Sequence, residues 1–380
     1  MHPARQRSRY QKFYRPGLLL LFGLALIACG GGDHHFTSHS VPPAQGSRIL
    51  GLDVKDVPTV VTYAEAYDQA VALGVREVSV ALDWAAFEPT AGNYVDYLGT
   101  LAAIEGFYPN QTADLTLVLR PLDTAGPSLP ANLAGRDFDD PMVVSAFTDF
   151  LTHLHGQLSK LNASGKLKWI QVGNEIDASL GGDSAQWDAW KTFFDAAKAQ
   201  IRSLWGADVQ VSSIIQFGAL ADASKRSAYL GLLPSLDNAV FTYYPLNSDF
   251  TVRAPTTVAG DFDAMVGAIA GKDIVLQECG YPSSADTGSS ESLQADFVSA
   301  VFEAWDDHRE RIKLVDFAWQ YDVSSAQVDQ WVSDYGMLGS ADEKAFRGYL
   351  SSLGLNNNDG SEKAAMQRLR DELQARSWEQ

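Results

Sequence analysis

The chain has 380 residues, 46% of them hydrophobic and 20% charged, with a formal net charge of −18 at pH 7. That length supplies one large core or two ordinary domains. Acidity on this scale excludes nucleic acid and anionic polymers as partners and leaves neutral or cationic ones.

Arg5, Arg7, Arg9, Lys12 and Arg15 form a basic head, followed by the apolar run Gly17–Ala28. A membrane-spanning helix needs about 20 apolar residues, so this shorter run reads as an export signal over 1–28. It ends "LIAC", Leu26 to Cys29, which resembles the lipobox of bacterial lipoproteins. The resemblance implies that Cys29 becomes the first mature residue and carries the lipid. Gly30 rather than Asp follows it, which favours an outer-membrane address facing outward or into the periplasm. Residues 29–47 are rich in Gly, Ser and Pro and read as a flexible tether. Cys279 is the one cysteine left after Cys29, so no internal disulfide can form.

From Ile49 onwards, β-branched runs alternate with longer segments of helical period. Strands are expected at Ile49–Val54, Glu77–Trp84, Asp114–Pro121, Leu167–Asn174, Val209–Ile215, Ala239–Pro245, Asp273–Gly280 and Leu314–Tyr321. Helices are expected at Tyr63–Leu73, Tyr94–Glu105, Pro141–Leu161, Ser184–Leu204, Leu220–Leu232, Phe262–Ala270, Ser290–Arg309 and Asp342–Leu353. Pro141 behind Asp139-Asp140, and Ser290 before an apolar-periodic run, supply helix starts. Eight alternations without a G-x-G-x-x-G or P-loop predict an α/β fold, a single (β/α)8 TIM barrel over 48–354. Residues 355–380 form a polar tail or a last helix.

Chemistry in such a barrel sits where strands end. Those ends carry Asp53, Trp84, Arg120 with Asp123, Asn174 with Glu175 and Asp177, Tyr243 with Tyr244, Glu278 with Tyr281, and Trp319 with Gln320 and Asp322. No lysine falls among them, which argues against Schiff-base chemistry, and no histidine cluster suggests a metal. No metal or organic cofactor is called for. Asn174 and Glu175 also suit the first turn of a helix, so capping is the plain alternative for Glu175. Glu278, ending strand seven as Glu175 ends strand four, favours a working pair. Two carboxyl groups can cleave an acetal, one protonating the leaving oxygen and the other attacking the anomeric carbon.

"WIQVGNEI" (Trp169–Ile176) is similar to the acid/base segment of the family 53 endo-galactanases. "IVLQECGYPSS" (Ile274–Ser284) is similar to the nucleophile segment of the family 17 β-1,3-glucan hydrolases, with Gln277, Cys279 and Tyr281 departing from it. Together they resemble the clan A retaining glycoside hydrolases. The resemblance implies Glu175 as acid/base, Glu278 as nucleophile, Asn174 on the sugar 2-hydroxyl, and Tyr243 or Tyr244 on the nucleophile. It further implies Trp319 as the floor under the sugar ring. Arg120 is expected to keep Glu278 ionised, although clan A arginines usually come from strand two. Trp84 and Trp331 are candidate sugar platforms, and Asp53 and Tyr281 complete the set of candidate contacts. The expected partner is an oligosaccharide or polysaccharide, β-glucan or β-galactan ahead, with the membrane met through lipid alone. A non-catalytic carbohydrate-binding lipoprotein and a β-glucan transglycosylase stay open as alternatives. The loop Asp322–Ser340 is long enough to shape one end of the cleft.

Overall fold

The computed structural model describes residues 41–379. Cys29 and the proposed signal lie outside the described residues, as does most of the tether. Eight strand positions run in parallel: Ile49–Leu52, Glu77–Asp83, Asp114–Arg120, Leu167–Val172, Gln210–Gln216, Ala239–Tyr243, Ile274–Cys279 and Ile312–Phe317. The fifth is interrupted at Ser213. Its first half, Gln210–Ser212, pairs with strand four, and its second half, Ile214–Gln216, pairs with strand six. Strand one pairs with strand eight, Ile49 opposite Leu314. The ring therefore closes through strand five, and the expected (β/α)8 barrel is the observed fold.

Alternation along each strand sends side chains to two different cores. Outward residues pack with the helices into one large apolar cluster that includes Trp84, Phe147, Phe241 and Trp305. Inward residues Val118, Ile214, Val240, Val275 and Leu314, with Ile49 and Trp169, fill one level of the barrel. The polar, buried Glu77, Thr116, Gln277 and Asp316 gather inside the barrel as well. Gly51 pairs with Glu77 on one side and Asp316 on the other. A Cβ there would lie 2.5 Å from Glu77 Oε2 and 2.8 Å from Asp316 Cβ, so only glycine leaves this acid pair its room. Burial pushes the Glu77 carboxyl up to about 7 and holds that of Asp316 well above the usual range. After burial, the neighbouring negative charge of Glu77 adds to the rise at Asp316.

The helices start where their caps dictate. Asp140 accepts from the Met142 amide at 2.8 Å with Pro141 first in the helix Pro141–Gln157, and Ser290 accepts from Leu293. That helix ends four residues sooner than expected, and Ser159–Ser164 continues as a separate short one. The segment expected as helix from Tyr94 begins at Thr100, because Asp96 caps Thr100 and Leu101 instead. Elements that were not expected include Ile176–Leu180 directly after strand four, and Ser325–Asp334 within the loop after strand eight. Beyond Asn356, the helix Ala364–Ala375 buries Met366, Leu369 and Leu373, and Arg376 joins Arg48 on Asp306. No described helix is long and apolar enough to cross a membrane.

Candidate active site

Strand four ends in Gly173-Asn174-Glu175. Gly173 has φ +81°, and a Cβ on it would lie 2.6 Å from both Ile176 and Trp190. Glu175 itself sits in the left-handed region, φ 44° and ψ 44°, an uncommon and strained state for a residue with a side chain. It occupies the cap position of the helix Ile176–Leu180, yet its side chain caps nothing. Instead the carboxylate is held by three donors. Thr124 Oγ1 and Gln216 Nε2 donate to Oε2 at 2.7 and 2.9 Å, and Thr242 Oγ1 donates to Oε1 at 2.6 Å. The strained backbone thus turns the side chain away from the helix and across the barrel mouth toward strands five and six.

Strand seven reaches the mouth by a different device. Its register shifts between Leu276 and Glu278 against strand six, leaving Gln277 as the extra residue of a bulge. Gln277 stays in the polar layer against Asp316, while Glu278 is presented above it. Tyr244 donates to Glu278 Oε2 at 2.6 Å. Burial, and next the negative charge of Glu175, push the Glu278 carboxyl up to about 7. The two carboxyl groups are therefore electrostatic neighbours at the same end of the barrel, as the strand ends predict.

The other expected residues divide. Tyr244 faces the site, but Tyr243 points behind the sheet, where it donates to Asp261 at 2.8 Å and packs on Phe217 and Phe262. Trp84 lies behind strand two as well, fully buried against Phe147, with its indole N–H on Glu88 at 2.6 Å. Tyr281 is buried against Phe297 and donates to the Arg253 carbonyl. None of these three is placed to touch a ligand at the mouth; strand alternation carries each to the outer core. Arg120 does face the mouth, but it pairs with Asp83 at 2.8 Å and lies 3.6 Å from Asp123, and it meets Glu278 only at longer range. The expected direct bond from Arg120 to Glu278 is replaced by this acidic clamp.

Asn174 donates to Asp123 Oδ1 at 2.9 Å, and its own Oδ1 is buried without a partner among the described residues. An acceptor left open there suits a ligand hydroxyl. Asp53 is paired with Lys55 at 2.9 Å, and the Lys55 ammonium lies 5.1 Å from the Trp319 ring centre. Trp319 follows a cis peptide after Ala318 and is half-buried, with Trp331 tilted on it at 5.4 Å. Asp177 and Asp322 are not free carboxylates: Asp177 is buried against Lys225 and the Gln216 amide, Asp322 against Lys363. Burial pushes each of their carboxyls up to about 6. Burial likewise raises the Cys279 thiol, leaving a small buried hydrophobe beside Glu278.

Three participants escaped the sequence reading, and a fourth, Tyr335, was expected only as part of the loop that shapes one end of the cleft. Thr242 and Gln216 lie two residues before Tyr244 and two after Ile214, so inward alternation signals both. Thr124 sits in a hairpin pairing Leu122 with Pro127, for which strand patterning gives no signal. Tyr335, from the loop after strand eight, lies close enough to Asp123, Glu175 and Glu278 for their charges to act on it. The side chain is 41% exposed, and its partial desolvation, then those charges, raise its phenol. Among the described residues, no cluster of His, Cys, Asp and Glu could hold a metal ion.

No protein-family model and no curated protein sequence matches the chain. Solved structures do resemble it in fold. A GH5_18 protein from Streptomyces cattleya in complex with GlcNAc has TM-score 0.63 and 17% identity, covering 90% of this chain and 82% of that one. The exo-β-1,4-mannosidase Op5Man5 from Opitutaceae bacterium strain TAV5 has TM-score 0.64 and 15% identity, covering 86% of this chain but 59% of its own. The GH53 catalytic domain of Ignisphaera aggregans has TM-score 0.61 and 15% identity, covering 87% of this chain and 98% of that one. At these identities the likeness establishes a shared barrel fold.

Proposed function

We propose that this chain is a retaining glycoside hydrolase of the clan A type acting on a β-linked glycan. One observation carries the reading: Glu278 has Oε2 held by Tyr244 while no donor among the described residues bonds Oε1. A nucleophile needs that combination, an oriented carboxylate with one oxygen free to attack. Glu175, the electrostatic neighbour of Glu278, would protonate the leaving oxygen from its protonated form and, left ionised by that step, later take a proton from the attacking water. For that step a glycosidic oxygen must take the place of Thr124 or Gln216 on Oε2. Trp319 backed by Trp331 offers an aromatic face to the apolar face of a sugar. Asn174 Oδ1 accepts from the 2-hydroxyl, a contact that strengthens as positive charge develops on the ring.

The sugar is read from the surroundings and from neighbours. β-Glucan and β-galactan follow from the two motif resemblances, and β-mannosides join them through the GH5_18 barrel from Bifidobacterium longum solved in complex with Manβ1-4GlcNAc. The acidic mouth suits neutral chains. Cys29 is proposed to carry the lipid that tethers the barrel to the bacterial envelope, outward of residues 30–47.

The test is a soluble form starting at Ser47, assayed on β-1,3-, β-1,4- and mixed-linkage glucans, galactan, mannan and xylan, with product anomers followed by NMR. First release of β-anomer names the sugar and supports retention. Release of α-anomer overturns the double displacement. Glycan binding without turnover favours a carbohydrate-binding lipoprotein, and longer products favour a transglycosylase.

A further inference from the structure

Strand five is joined to strand four along only part of its length. Gln210–Ser212 pair with strand four, and the Ile214 amide still reaches the Gly173 carbonyl at 3.3 Å. Two residues further on, strand four has already turned into the helix Ile176–Leu180. There the Gln216 amide donates to Asp177 Oδ1 at 2.8 Å, so a side-chain carboxylate continues the ladder in place of a main-chain carbonyl. The other oxygen, Oδ2, meets the Lys225 ammonium at 3.2 Å. Asp177 is fully buried, whereas Lys225, on the helix Ala223–Leu232, stays partly exposed. Gly182 lets that helix approach, since a Cβ on it would collide with Ser224 Oγ. An acid in the first turn of a helix can simply favour the helix N-terminus. Asp177 does more, because both its oxygens are engaged outside its own helix. What they hold is the end of strand five that carries a donor to Glu175. Gln216 stands opposite Thr242 of strand six, and the two side chains bond the two oxygens of Glu175.

We infer that Asp177 is a positioning residue for Glu175: its carboxylate, balanced by Lys225, fixes the Gln216 backbone so that the Gln216 side chain meets Glu175 Oε2. The inference rests on the reading of Glu175 as acid/base. Glu175 has a strained backbone and makes no helix-capping bond, so its direction depends on the donors it meets. Gln216 has a long side chain with rotamer freedom to lose, and a fixed backbone lowers the cost of holding its bond. The counter-charge of Lys225 keeps a buried carboxylate from standing alone. Asp177 touches no reacting atom in this arrangement; it acts through Gln216.

NMR of protein labelled with 15N-glutamine tests the arrangement without substrate, the Gln216 signals being assigned by their loss in Gln216→Leu. Variants are built on Lys225→Met, so that no lysine is left beside an altered partner. Relative to Lys225→Met, Asp177→Ala/Lys225→Met removes the acceptor. The Gln216 side-chain NH2 signals should then move toward those of solvated glutamines, and their hydrogen exchange should quicken about tenfold or more. Asp177→Asn/Lys225→Met keeps an acceptor oxygen and should leave both in place. Should Asp177→Ala/Lys225→Met not fold, Asp177→Ser/Lys225→Met takes its place, with a hydroxyl too short to reach the amide. Where hydrolysis is found, loss of the acceptor should lower kcat/KM about tenfold on an unactivated glycan and at most about twofold on an aryl glycoside. In a Gln216→Leu background the same substitution should add nothing. The inference is overturned if the side-chain signals stay in place once the acceptor is removed, or if Asp177→Asn moves them as far. Equal losses on both substrate types, or a loss that persists in Gln216→Leu, would overturn it too. Absence of hydrolysis would sink the proposed activity, while the Gln216 signals still decide the positioning.

Discussion

Glu175 and Glu278 end two strands of one barrel, yet the protein holds them in opposite ways. Both oxygens of Glu175 are engaged, by donors from strand five, strand six and the hairpin after strand three. Its strained φ of 44° is stabilised by those contacts rather than by helix capping. Glu278 stands on a bulged strand with one oxygen tied to a single phenol. The comparison teaches that the same residue type is fitted for different work by the number and direction of its donors. On the proposed reading, the donors around Glu175 are ones a ligand oxygen can replace, and Glu278 keeps one oxygen free to attack.

The comparison breaks most directly at the carboxylates themselves. Glu278→Ala should abolish turnover, since no glycosyl-enzyme can form. Glu175→Gln should slow hydrolysis of ordinary glycans by about 10²–10⁴-fold, and far less for aryl glycosides whose leaving groups need no proton. Steady-state rates on the two substrate types separate these roles; equal losses on both would contradict the acid/base assignment. Between the adjacent tyrosines, Tyr244→Phe should lower kcat roughly 10–100-fold through one charge-assisted bond. Tyr243→Phe should spare kcat and cost about 1 kcal/mol of stability through its bond to Asp261.

The two tryptophans sharpen the contrast between mouth and core. Trp84→Ala opens a cavity in the outer core and should destabilise the fold by about 3–5 kcal/mol in denaturant titration. Trp319→Ala should instead raise KM, with a smaller change in the unfolding midpoint. The pH dependence is a finer probe. Glu278 must be ionised to attack, and its carboxyl is raised to about 7, so kcat/KM should fall as pH drops through that value. Glu175→Gln removes the neighbouring negative charge and should move this limb to lower pH. Inside the barrel the Glu77 carboxyl is also raised to about 7, from a usual 4.5. Between those values the folded protein binds more protons than the unfolded chain, so stability falls as pH rises through the window. Glu77→Gln should flatten that fall, by roughly 1–3 kcal/mol across the window. A pH-independent unfolding free energy in the native protein would contradict the buried acid pair.

What the sequence made legible follows from periodicity. The eight strands and the carboxylates that end strands four and seven are visible because each apolar run gives way abruptly to a charged residue. The errors share one origin. Trp84, Tyr243 and Tyr281 sit within a residue or three of residues that face the mouth, and end position alone does not say which face a side chain takes. Alternation counted from Asp83 and Tyr244 places their neighbours behind the sheet. At strand seven even that rule needs the bulge at Gln277, which no pattern in the run announces. The pairing of Arg120 with Asp83 required the register of strands two and three, where the two residues stand opposite each other. Thr124 and Tyr335 reach the site from a hairpin and a loop, so tertiary packing alone brings them there.

The most direct test of the central claim is covalent trapping. The soluble barrel would be incubated with 2-deoxy-2-fluoro-β-glycosides of glucose, galactose and mannose bearing a good leaving group, then digested and examined by mass spectrometry. The account predicts one added fluorosugar, on the peptide containing Glu278, and none in Glu278→Gln. A label on any other residue, or turnover of natural glycan with no label from its matching fluorosugar, would contradict Glu278 as the nucleophile.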